Sequence, residues 1–560
     1  MKKNIFSLAL LIFMPFALLA QGYESLSQLG PSTEKIDMKN YKQVFYVSIA
    51  NGSDTNGDGS INKPWGTVFH AMNNINNASK ENRIAVLISE GSYSGFTLMM
   101  KPFVDLYGCF QSASWQRDIN KYSTILDGQK MRRVVVGADN SRIDGFTITN
   151  GLSRSHGGGI LCDDTSPIIS NCIITNNYVL EPEEFNYNRI HQNGNHGGGI
   201  AALYNSIPEI RNNIFYQNKT SIGNGGAIAF YGWLRNSEAP PTKIINNRME
   251  GGWQPRVTNN IFLHNVSGEN DWGRTRSSNG GAISCAYESR PVIENNLIIC
   301  NQAKGRSDAG GIYTENFSYP LIKGNWIVGN ISDDDGGGIY TNHTGHALIT
   351  QNFIAGNWTI GKGAGGVRLS KESRATVTDN IIVHNQTGGG VQSVDSYMEL
   401  TNNIIMHNKG NVSLRYSNVF SYFVPSIIEN NTILENESKI IIELGDGQKI
   451  NFNSNNVNEK VIGTKNNYKP VGLMNTPIPI EITGVNYNPD QFISEISLKF
   501  LPDNQNLEGR VFTSGNFWSV IKKVEQNKIY VYGNVNLRNY DNRGLILSDY
   551  KMKALKKLIN

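Results

Sequence analysis

Short apolar segments alternate with Gly-rich and Asn-rich turns through the middle of the chain. Three consecutive stretches of this pattern align with one another: SDAGGIYTENFSYPLIKGNWIVGN, DDDGGGIYTNHTGHALITQNFIAGN and GKGAGGVRLSKESRATVTDNIIVHN. They begin at Ser307, Asp333 and Gly361. Each starts near a glycine pair, continues into a short apolar segment, turns, and ends in a second segment of the form apolar-x-x-Asn-apolar-apolar. Such short segments without helical spacing indicate β-strands.

The Asn of the second segment recurs along the chain at intervals of 23 to 36 residues. It lies at Asn260, Asn296, Asn325, Asn352, Asn380, Asn403 and Asn431. A strand repeat of this length is typical of a solenoid, in which each coil buries its apolar side against the neighbouring coils. We therefore predict an all-β solenoid in which these Asn side chains stack in one column.

The repeat is flanked by segments of a different pattern. A polar leader over residues 21–43 precedes a strand, a loop and a short amphipathic helix that begins near Trp65. A helix of this kind covers the open first coil of a solenoid. Residues 461–560 show longer alternating segments with turns such as QNK, typical of antiparallel hairpins. We expect a capped solenoid over residues 44–460 and a small C-terminal β domain that covers the last coil; an independent sugar-binding role for this domain is the alternative.

Several motifs of the repeat carry a family resemblance. They are the segments LDG and RIDGFTITNG, the GGGI strand starts and the I-x-N-N-I-I-x-x-N strands. Over roughly residues 44–456 the chain resembles the right-handed parallel β-helix proteins of the pectate-lyase-like superfamily. The resemblance implies a right-handed parallel β-helix. That superfamily includes polysaccharide lyases, glycoside hydrolases, epimerases and non-catalytic adhesins, so the fold does not decide the function.

The N-terminus has the pattern of a cleaved secretory signal, with two Lys, an apolar run from Ile5 to Leu19, and Ala20 at its end. No Cys follows this run, so we expect no lipid anchor, and no later apolar stretch is long enough to span a membrane. Removal of residues 1–20 lowers the formal charge from +4 to +2. Nucleic acid is therefore a poor candidate partner. We expect a periplasmic or secreted monomer.

Two smaller features suggest structural roles. The five cysteines are too few and too irregularly spaced for a disulfide scaffold or a zinc site, and we expect Cys162 and Cys285 in the core. In the N-terminal loop, the oxygen-bearing residues Asp54, Asn56, Asp58 and Ser60 alternate as ligands do at the start of a calcium loop. The Glu expected at its twelfth position is missing, so we favour an Asx-rich turn.

Alternation along the strands predicts which side chains face outwards. In GGIYTEN, Ile312 and Thr314 should point inwards, with Tyr313 and Glu315 pointing outwards. Alignment with the next two coils extends the outward set. It adds Tyr340, Asn342, Arg368 and Ser370, with His343 and Lys371 just beyond the strand ends.

Basic residues recur in the segments that precede the glycine pairs. They are Arg154, His156, Arg189, His191, His196, Arg274, Arg276, Lys304, Arg306 and Lys362. An elongated basic groove attracts an anionic polymer, and outward Tyr rings provide a flat apolar surface for sugars. We therefore predict that an acidic polysaccharide or oligosaccharide binds here. Its predicted contacts are Arg154, His156, His196, Arg274, Arg276, Arg306, Glu315 and Asn342.

Uronate-containing polymers are commonly cut by β-elimination, in which a base removes the proton next to the carboxylate and the 4-oxygen leaves. The site must neutralise the carboxylate and hold a base within hydrogen-bond reach. Arg368 and His343 suit neutralisation. The candidates for base or acid are Tyr313, Tyr340, His343 and Lys362. Loss of water from a terminal uronate by the same chemistry would make the protein an oligosaccharide dehydratase.

Three alternatives remain open. Asp333, Asp334 and Asp335 resemble the acidic clusters that hold Ca²⁺ in several β-helix lyases, although a solvated Asp turn before the glycines has the same sequence. An inverting hydrolase would instead need two separated carboxyl groups, for which Glu315 with Asp335, or Asp163 with Glu315, are candidates. A non-catalytic adhesin would need only a repetitive surface, whereas long insertions interrupt this repeat.

Overall fold

The structure of the protein is a computed structural model. The described residues are 29–32, 35–181, 195–232, 243–245, 248–250, 254–270, 278–361, 363–410, 412–415, 426–434, 436, 441–443, 450–453, 455–457, 477–501 and 507–547. The predicted signal segment lies outside them. So do five residues of the predicted basic edge, namely Arg189, His191, Arg274, Arg276 and Lys362.

The described chain forms a right-handed parallel β-helix, as the sequence predicts. Each strand pairs in parallel with the equivalent strand of the next coil, so that Tyr313 pairs with Tyr340 and Tyr340 with Arg368. The strands build four parallel sheets, named here sheets 1 to 4 in the order in which a coil visits them, beginning with the sheet nearest the N-terminus.

Sheet 1 contains Gln43–Val47, Ile84–Ser89, Val104–Phe110, Arg142–Asp144, Ile168–Ser170, Glu209–Arg211, Arg256–Thr258, Val292–Glu294, Leu321–Lys323, His346–Thr350, Arg374–Thr378, Tyr397–Thr401, Ser426–Glu429 and Ile450–Asn453. Sheet 2 contains Gly91–Ser94, Thr124–Asp127, Thr147–Thr149, Ile173–Thr175, Ile214–Tyr216, Ile261–Leu263, Leu297–Ile299, Trp326–Val328, Phe353–Ala355, Ile381–Val383, Ile404–Met406, Thr432–Leu434 and Asn456–Val457.

Sheet 3 contains Leu152–Ser153, Tyr178–Val179, Lys219–Thr220, Val266–Ser267, Gln302–Ala303, Ile331–Ser332 and Trp358–Thr359. Sheet 4 contains Leu98–Met99, Val135–Val136, Ile160–Asp163, Ile200–Leu203, Ile228–Tyr231, Ile283–Ala286, Ile312–Thr314, Ile339–Thr341, Val367–Leu369, Val391–Val394, Val412–Arg415 and Ile441–Glu443. A short antiparallel hairpin pairs Lys243–Ile245 with Arg248–Glu250.

The interior of the coils is apolar. Ile312 and Ile339 belong to one continuous core cluster, and both are fully buried there. Cys162 and Cys285 lie in the same cluster as free thiols, which confirms their predicted core positions.

The predicted Asn column is present. From Asn260 to Asn431, the Nδ2 atom of each Asn donates to Oδ1 of the next at 3.0 Å. The same Oδ1 also accepts the backbone N–H of the preceding Asn, as Asn352 Oδ1 does from Asn325. Every buried amide in the column is therefore paired, which fixes the register of neighbouring coils.

A short α-helix, Val68–Asn74, covers the first coils by burying Val68, Ala71 and Met72. The preceding loop holds the start of this helix, because Asp54 Oδ1 accepts the backbone N–H groups of Gly66 and Thr67 at 2.8 and 2.9 Å. These bonds support the turn interpretation of the Asp-rich loop. The described part of the chain also contains the 3₁₀-helices Met38–Asn40 and Val535–Leu537.

The C-terminal domain is a closed antiparallel barrel. Its strands are, in barrel order, Ile478–Asn488, Ile493–Leu498, Lys528–Tyr532, Phe517–Glu525, Val511–Ser514 and Arg543–Ile546. The barrel packs on the side of the β-helix, against the outward residues of sheet 2 such as Leu263, Val328 and Val383. The expected position over the last coil is therefore wrong. Both faces of sheet 2 are apolar, so its outer face needs a cover of its own.

No helix in the described part of the chain is long and apolar enough to cross a membrane.

Candidate functional site

A cleft of about 500 Å³ lies on the outward face of sheet 4. Its floor is formed by three adjacent strands, Ile312–Thr314, Ile339–Thr341 and Val367–Leu369. It is lined by Asn279, Arg306, Asp308, Tyr313, Asp334, Asp335, Tyr340, Asn342, His343, Arg368, Ser370, Lys371, Val394 and Asp395. The fold thus gathers most of the residues that the alignment of three coils placed outwards.

The two tyrosines of the floor face away from the β-helix core, as their register predicts. Tyr313 and Tyr340 form a separate small cluster with Ala309. They are nevertheless only 1% and 2% exposed, because their rings pack edge to face with centroids 5.8 Å apart. The guanidinium of Arg368 covers the Tyr340 ring at 5.5 Å from its centroid. The expected flat aromatic surface is therefore wrong, and only the hydroxyl groups remain for chemistry.

A chain of four hydrogen bonds crosses this floor in one direction. Ser370 Oγ donates to Asn342 Oδ1 at 2.9 Å, so the Tyr340 hydroxyl is the donor in its 2.5 Å bond to Ser370. Asn342 Nδ2 donates to the Tyr313 hydroxyl at 3.1 Å, and Tyr313 donates to Glu315 Oε2 at 3.1 Å. An amide in mid-chain cannot readily pass a proton along. This series of hydrogen bonds therefore orients the Tyr340 hydroxyl, whose oxygen lone pairs are directed away from Ser370.

Glu315 ends this chain as a buried carboxyl group, only 3% exposed. Burial raises its pKa to about 7, while the hydrogen bond from Tyr313 and the charge of Lys371 act in the opposite direction. Glu315 is not among the residues that line the cleft. Its predicted contact with substrate stays a prediction, and Glu315 reaches the cleft here only through its hydrogen bond with Tyr313, which lines it.

Arg368 is held by protein partners on both sides. Its Nη2 atom lies 3.0 Å from Asp335 Oδ2, and its Nη1 atom donates to Gln392 at 2.6 Å. Burial raises the pKa of Asp335, and the Arg368 charge opposes that rise. Within the described residues Arg368 Nε has no hydrogen-bond partner. Arg368 therefore fixes Asp335 before any substrate binds.

A second polar column runs through the residue that precedes the run of three Gly or Ala residues before each of these sheet 4 strands. The backbone N–H of Asp335 donates to Asp308 Oδ1 at 3.1 Å, and that of Asp308 donates to Asn279 Oδ1 at 2.8 Å. In earlier coils the acceptors are Asn224 and then His196. Asp308 and Asn279 were not predicted as site residues. The signal for them was a side-chain acceptor directly before the run of three small residues, such as Ala309, Gly310 and Gly311 after Asp308.

Asp308 has the most strongly perturbed carboxyl group of the cleft. Burial raises its pKa well above the usual range, and the neighbouring Asp335 and Asp334 raise it further. The neighbouring carboxylates disfavour another negative charge beside them, and together with burial they favour the protonated form of Asp308. It can act as a proton donor that faces the cleft.

The predicted basic edge is wrong for its two described histidines. His156 and His196 stack on each other with centroids 5.2 Å apart, and His156 Nδ1 accepts the backbone N–H of His196 at 3.2 Å. Burial lowers the pKa of His156 to about 4 and that of His196 well below its usual value. Both rings are therefore neutral structural acceptors rather than cations.

The cleft itself carries both signs of charge. Among its described lining residues, the cations are Arg306, Arg368 and Lys371, and the carboxyl groups are Asp308, Asp334, Asp335 and Asp395. Arg154 is exposed on a much earlier coil. The sheet 4 strand that follows Arg154 lies four strands before the sheet 4 strand that follows Arg306. At about 4.8 Å per strand, that places it roughly 19 Å along the axis. An elongated basic groove is not what the described residues form.

His343 and Lys371 stand at the exposed mouth of the cleft. Lys371 Nζ lies 2.8 Å from His343 Nε2. An ammonium group can only donate, so this contact requires a neutral imidazole whose Nε2 accepts. The pair places a base beside an exposed cation.

The three aspartates do not act as one ligand set here. Asp333 Oδ2 accepts the backbone N–H of Gly305 at 2.9 Å, and Asp335 is paired with Arg368. No group of three His, Cys, Asp or Glu side chains in the described chain is placed to hold a metal ion. Calcium binding stays a prediction, without support from this arrangement.

The hydrolase pair Asp163 and Glu315 is not brought together. Asp163 ends the strand Ile160–Asp163, four strands before Ile312–Thr314 in sheet 4. The separation of roughly 19 Å, at about 4.8 Å per strand, far exceeds the carboxyl spacing of inverting hydrolases.

Comparisons with known proteins support the fold. The family model described as right handed beta helix region matches residues 329–474. The model described as periplasmic copper-binding protein (NosD) matches residues 237–386. No curated protein matches the sequence.

Two solved structures of a GH136 lacto-N-biosidase from Eubacterium ramulus are similar to this chain at 12% identity. The native protein aligns over 76% of this chain and 67% of its own, with a TM-score of 0.30. The selenomethionine derivative aligns over 74% and 67%, with a TM-score of 0.31. At these values the similarity carries no information about reaction or substrate.

Proposed function

We propose that the protein is an exported carbohydrate-active enzyme and that the sheet 4 cleft is its active site. The reaction we propose is β-elimination on a uronate-containing glycan. The observation that carries this proposal is the meeting, in one cleft, of the neutral base His343, the cations Arg306 and Lys371, and the proton donor Asp308.

The proposed reaction assigns each group one task. The substrate carboxylate draws Lys371 away from His343 and contacts it together with Arg306. His343 Nε2 then accepts the proton from the carbon next to the carboxylate. The electron pair of that bond forms the carbon–carbon double bond, and the bond to the 4-oxygen breaks. Asp308 delivers its proton to the departing oxygen. If that oxygen belongs to a hydroxyl, water leaves and the enzyme is a dehydratase.

The tyrosines have supporting tasks in this proposal. Tyr340 keeps its lone pairs free of Ser370, so its oxygen can accept a hydrogen bond from a sugar hydroxyl. Tyr313 is enclosed between Asn342 and Glu315, which makes it a positioning residue. Arg368 holds Asp335 in place, while its positive charge opposes the rise in the pKa of Asp308.

Glycoside hydrolysis is the second candidate, because Asp308 and Asp335 are two neighbouring carboxyl groups in unequal environments. A protonated acid beside an ionised carboxylate is the arrangement that hydrolases use. In that case Asp308 protonates the glycosidic oxygen and Asp335 acts on the sugar or on water. Glu315 with Asp335, the pair expected from the sequence, fits less well because Glu315 does not line the cleft.

Product analysis separates these reactions. The protein is incubated with polygalacturonate, alginate and hyaluronan, and with oligosaccharides of each, while ultraviolet absorbance of unsaturated uronate is followed. New absorbance with chain shortening means a lyase, and new absorbance with loss of water alone means a dehydratase. New reducing ends without absorbance mean a hydrolase. Absence of any product, together with glycan binding, would contradict the enzyme proposal and favour an adhesin.

Export is tested separately. We propose cleavage near Ala20 and a periplasmic or secreted product. Mass spectrometry of the protein from its native host should find no intact Met1.

A further inference from the structure

A second cleft, of about 270 Å³, opens where the C-terminal barrel meets the side of the β-helix. It lies away from the active cleft, beside sheets 2 and 3. It is lined by Gly329, Ile331, Gly356, Trp358, Gln386, Thr387, Lys409, Gly515, Asn516 and Trp518. None of the residues proposed for β-elimination is among them.

One wall of this cleft is fixed by the docking of Trp518. Gly329 and Gly356 both have positive φ, at 63° and 62°, and a Cβ atom at either would lie 2.6 or 2.1 Å from a Trp518 atom. Other coils carry His or Cys at the corresponding corner, as at Cys300 and His384. The two glycines therefore form a notch that seats this indole in one orientation.

The cleft is more than a gap in the packing. Elsewhere the junction between barrel and β-helix is closed by apolar side chains of both parts, as where the rings of Tyr216 and Phe492 pack with centroids 4.8 Å apart. At Trp518 this apolar seam ends, and an open space begins with Trp358 on the β-helix side. Both indoles are partly exposed, although large apolar side chains usually close such a junction.

The remaining lining is polar and carries a single charge. Gln386, Thr387 and Asn516 supply amide and hydroxyl groups, and Lys409 is exposed. No carboxyl group is among the described lining residues. A sugar ring presents an apolar face of C–H groups and an edge of hydroxyls, which matches an indole beside polar side chains. The lone Lys favours a sugar that carries an acidic group.

We propose that this cleft is a second glycan-binding site, which holds one acidic sugar residue of a chain against Trp358 with Lys409 at its charged group. The choice of ligand class rests on the proposed function. Trp358–Thr359 is followed in the same coil by the strand Val367–Leu369, which carries Arg368 into the active cleft. The two sites therefore lie on neighbouring faces of the same coils, and the second site retains polymer near the first.

The test uses the whole protein in affinity gel electrophoresis. The gels contain polygalacturonate, alginate or hyaluronan, with neutral dextran as the reference. Trp358→Ala and Lys409→Ala should each weaken retardation by the polymer that binds by about tenfold, as expected for loss of a central aromatic or charged contact. Trp358→Phe should keep most of it. Phe500→Ala, which removes a 74% exposed aromatic ring on the barrel, is the matched control and should behave as wild type.

The outcomes separate the two proposals. His343→Ala should lose turnover and keep its retardation, since His343 lies in the other cleft. Retardation that depends on Trp358, without any product from any glycan, would overturn the enzyme proposal and support this site. Turnover with wild-type retardation in both Trp358→Ala and Lys409→Ala would overturn this site alone. Failure of the wild type to bind any of the three polymers would also overturn it. Because Lys409 is exposed, its variant decides the question if Trp358→Ala does not fold.

Discussion

The outward faces of sheets 2 and 4 belong to the same coils but differ in chemistry. In sheet 2 the outward positions stay apolar from coil to coil, as at Val328, Ala355 and Val383, and the barrel covers them. In sheet 4 the paired positions change from Tyr340 to Arg368 to Gln392. A uniform outward column thus marks a surface that another part of the protein covers. An irregular polar column marks a surface that is free to act on a ligand.

A substitution in the apolar core that lies beneath both faces should cause the largest loss of stability. Ile354 lies in a central strand of sheet 2, between Ile327 and Ile382, and is fully buried. Ile354→Pro removes a ladder hydrogen bond and should lower the free energy of unfolding by about 3 kcal/mol or more. Urea denaturation measures this, with Ile354→Val as the matched control at about 1 kcal/mol. Equal stabilities would mean that neighbouring coils do not share a cooperative core.

The buried carboxyl group of Glu315, on the outward side of sheet 4, should make the stability of the protein depend on pH, whereas the described strands of sheet 2 offer no such group. The pKa of Glu315 rises from 4.5 to about 7 on folding, so the folded state binds more protons than the unfolded state between these values. Stability should therefore fall as pH rises from about 4.5 to 7 and then level off, by up to about 3 kcal/mol. Thermal unfolding at pH 5 and pH 8 measures this. Glu315→Gln should remove most of the difference, and an unchanged difference would assign it to another group.

Turnover should depend on the sheet 4 face and not on the sheet 2 face. His343→Ala, Asp308→Asn and Tyr340→Phe should each lower kcat/KM by about a hundredfold, the size expected for loss of an acid–base or positioned group. Arg368→Ala should have a similar effect because Asp335 loses its partner. Lys522→Ala, on the barrel, is the control and should keep the wild-type rate. Wild-type rates in all four sheet 4 variants would place the active site elsewhere.

A substitution in the glycine notch beside sheet 2 should have the smallest effect of these four changes. Gly356→Ala places a Cβ 2.1 Å from Trp518 and forces a side chain into positive φ. It should cost about 2 kcal/mol and loosen the barrel. Limited proteolysis and Trp fluorescence measure this. Gly484→Ala is the matched control, because the nearest atom to its new Cβ is 3.9 Å away. Equal behaviour of the two variants would mean that Trp518 does not fix the barrel.

The sequence by itself determined the architecture of the β-helix. The Asn column and the inward and outward alternation depend only on the repeat and on the two-residue period of a strand, so Asn325, Asn352 and Asn380 could be placed without coordinates. The same alternation brought Tyr313, Tyr340 and Arg368 to one surface. These features are local and repeat in every coil, which makes them visible in the chain.

Only the tertiary structure decided what each outward side chain does. Burial cancels the charge of His156 and His196, and the packing of the two tyrosines hides Glu315 from the cleft. Burial raises the pKa of Asp308, and the carboxyl groups of Asp335 and Asp334 on the next coil raise it further. The barrel's place on the side of the β-helix depends on Trp518 and on Gly329 and Gly356, which precede it by 189 and 162 residues in sequence. Desolvation and contacts between distant segments set these properties, and neither is a function of local sequence pattern.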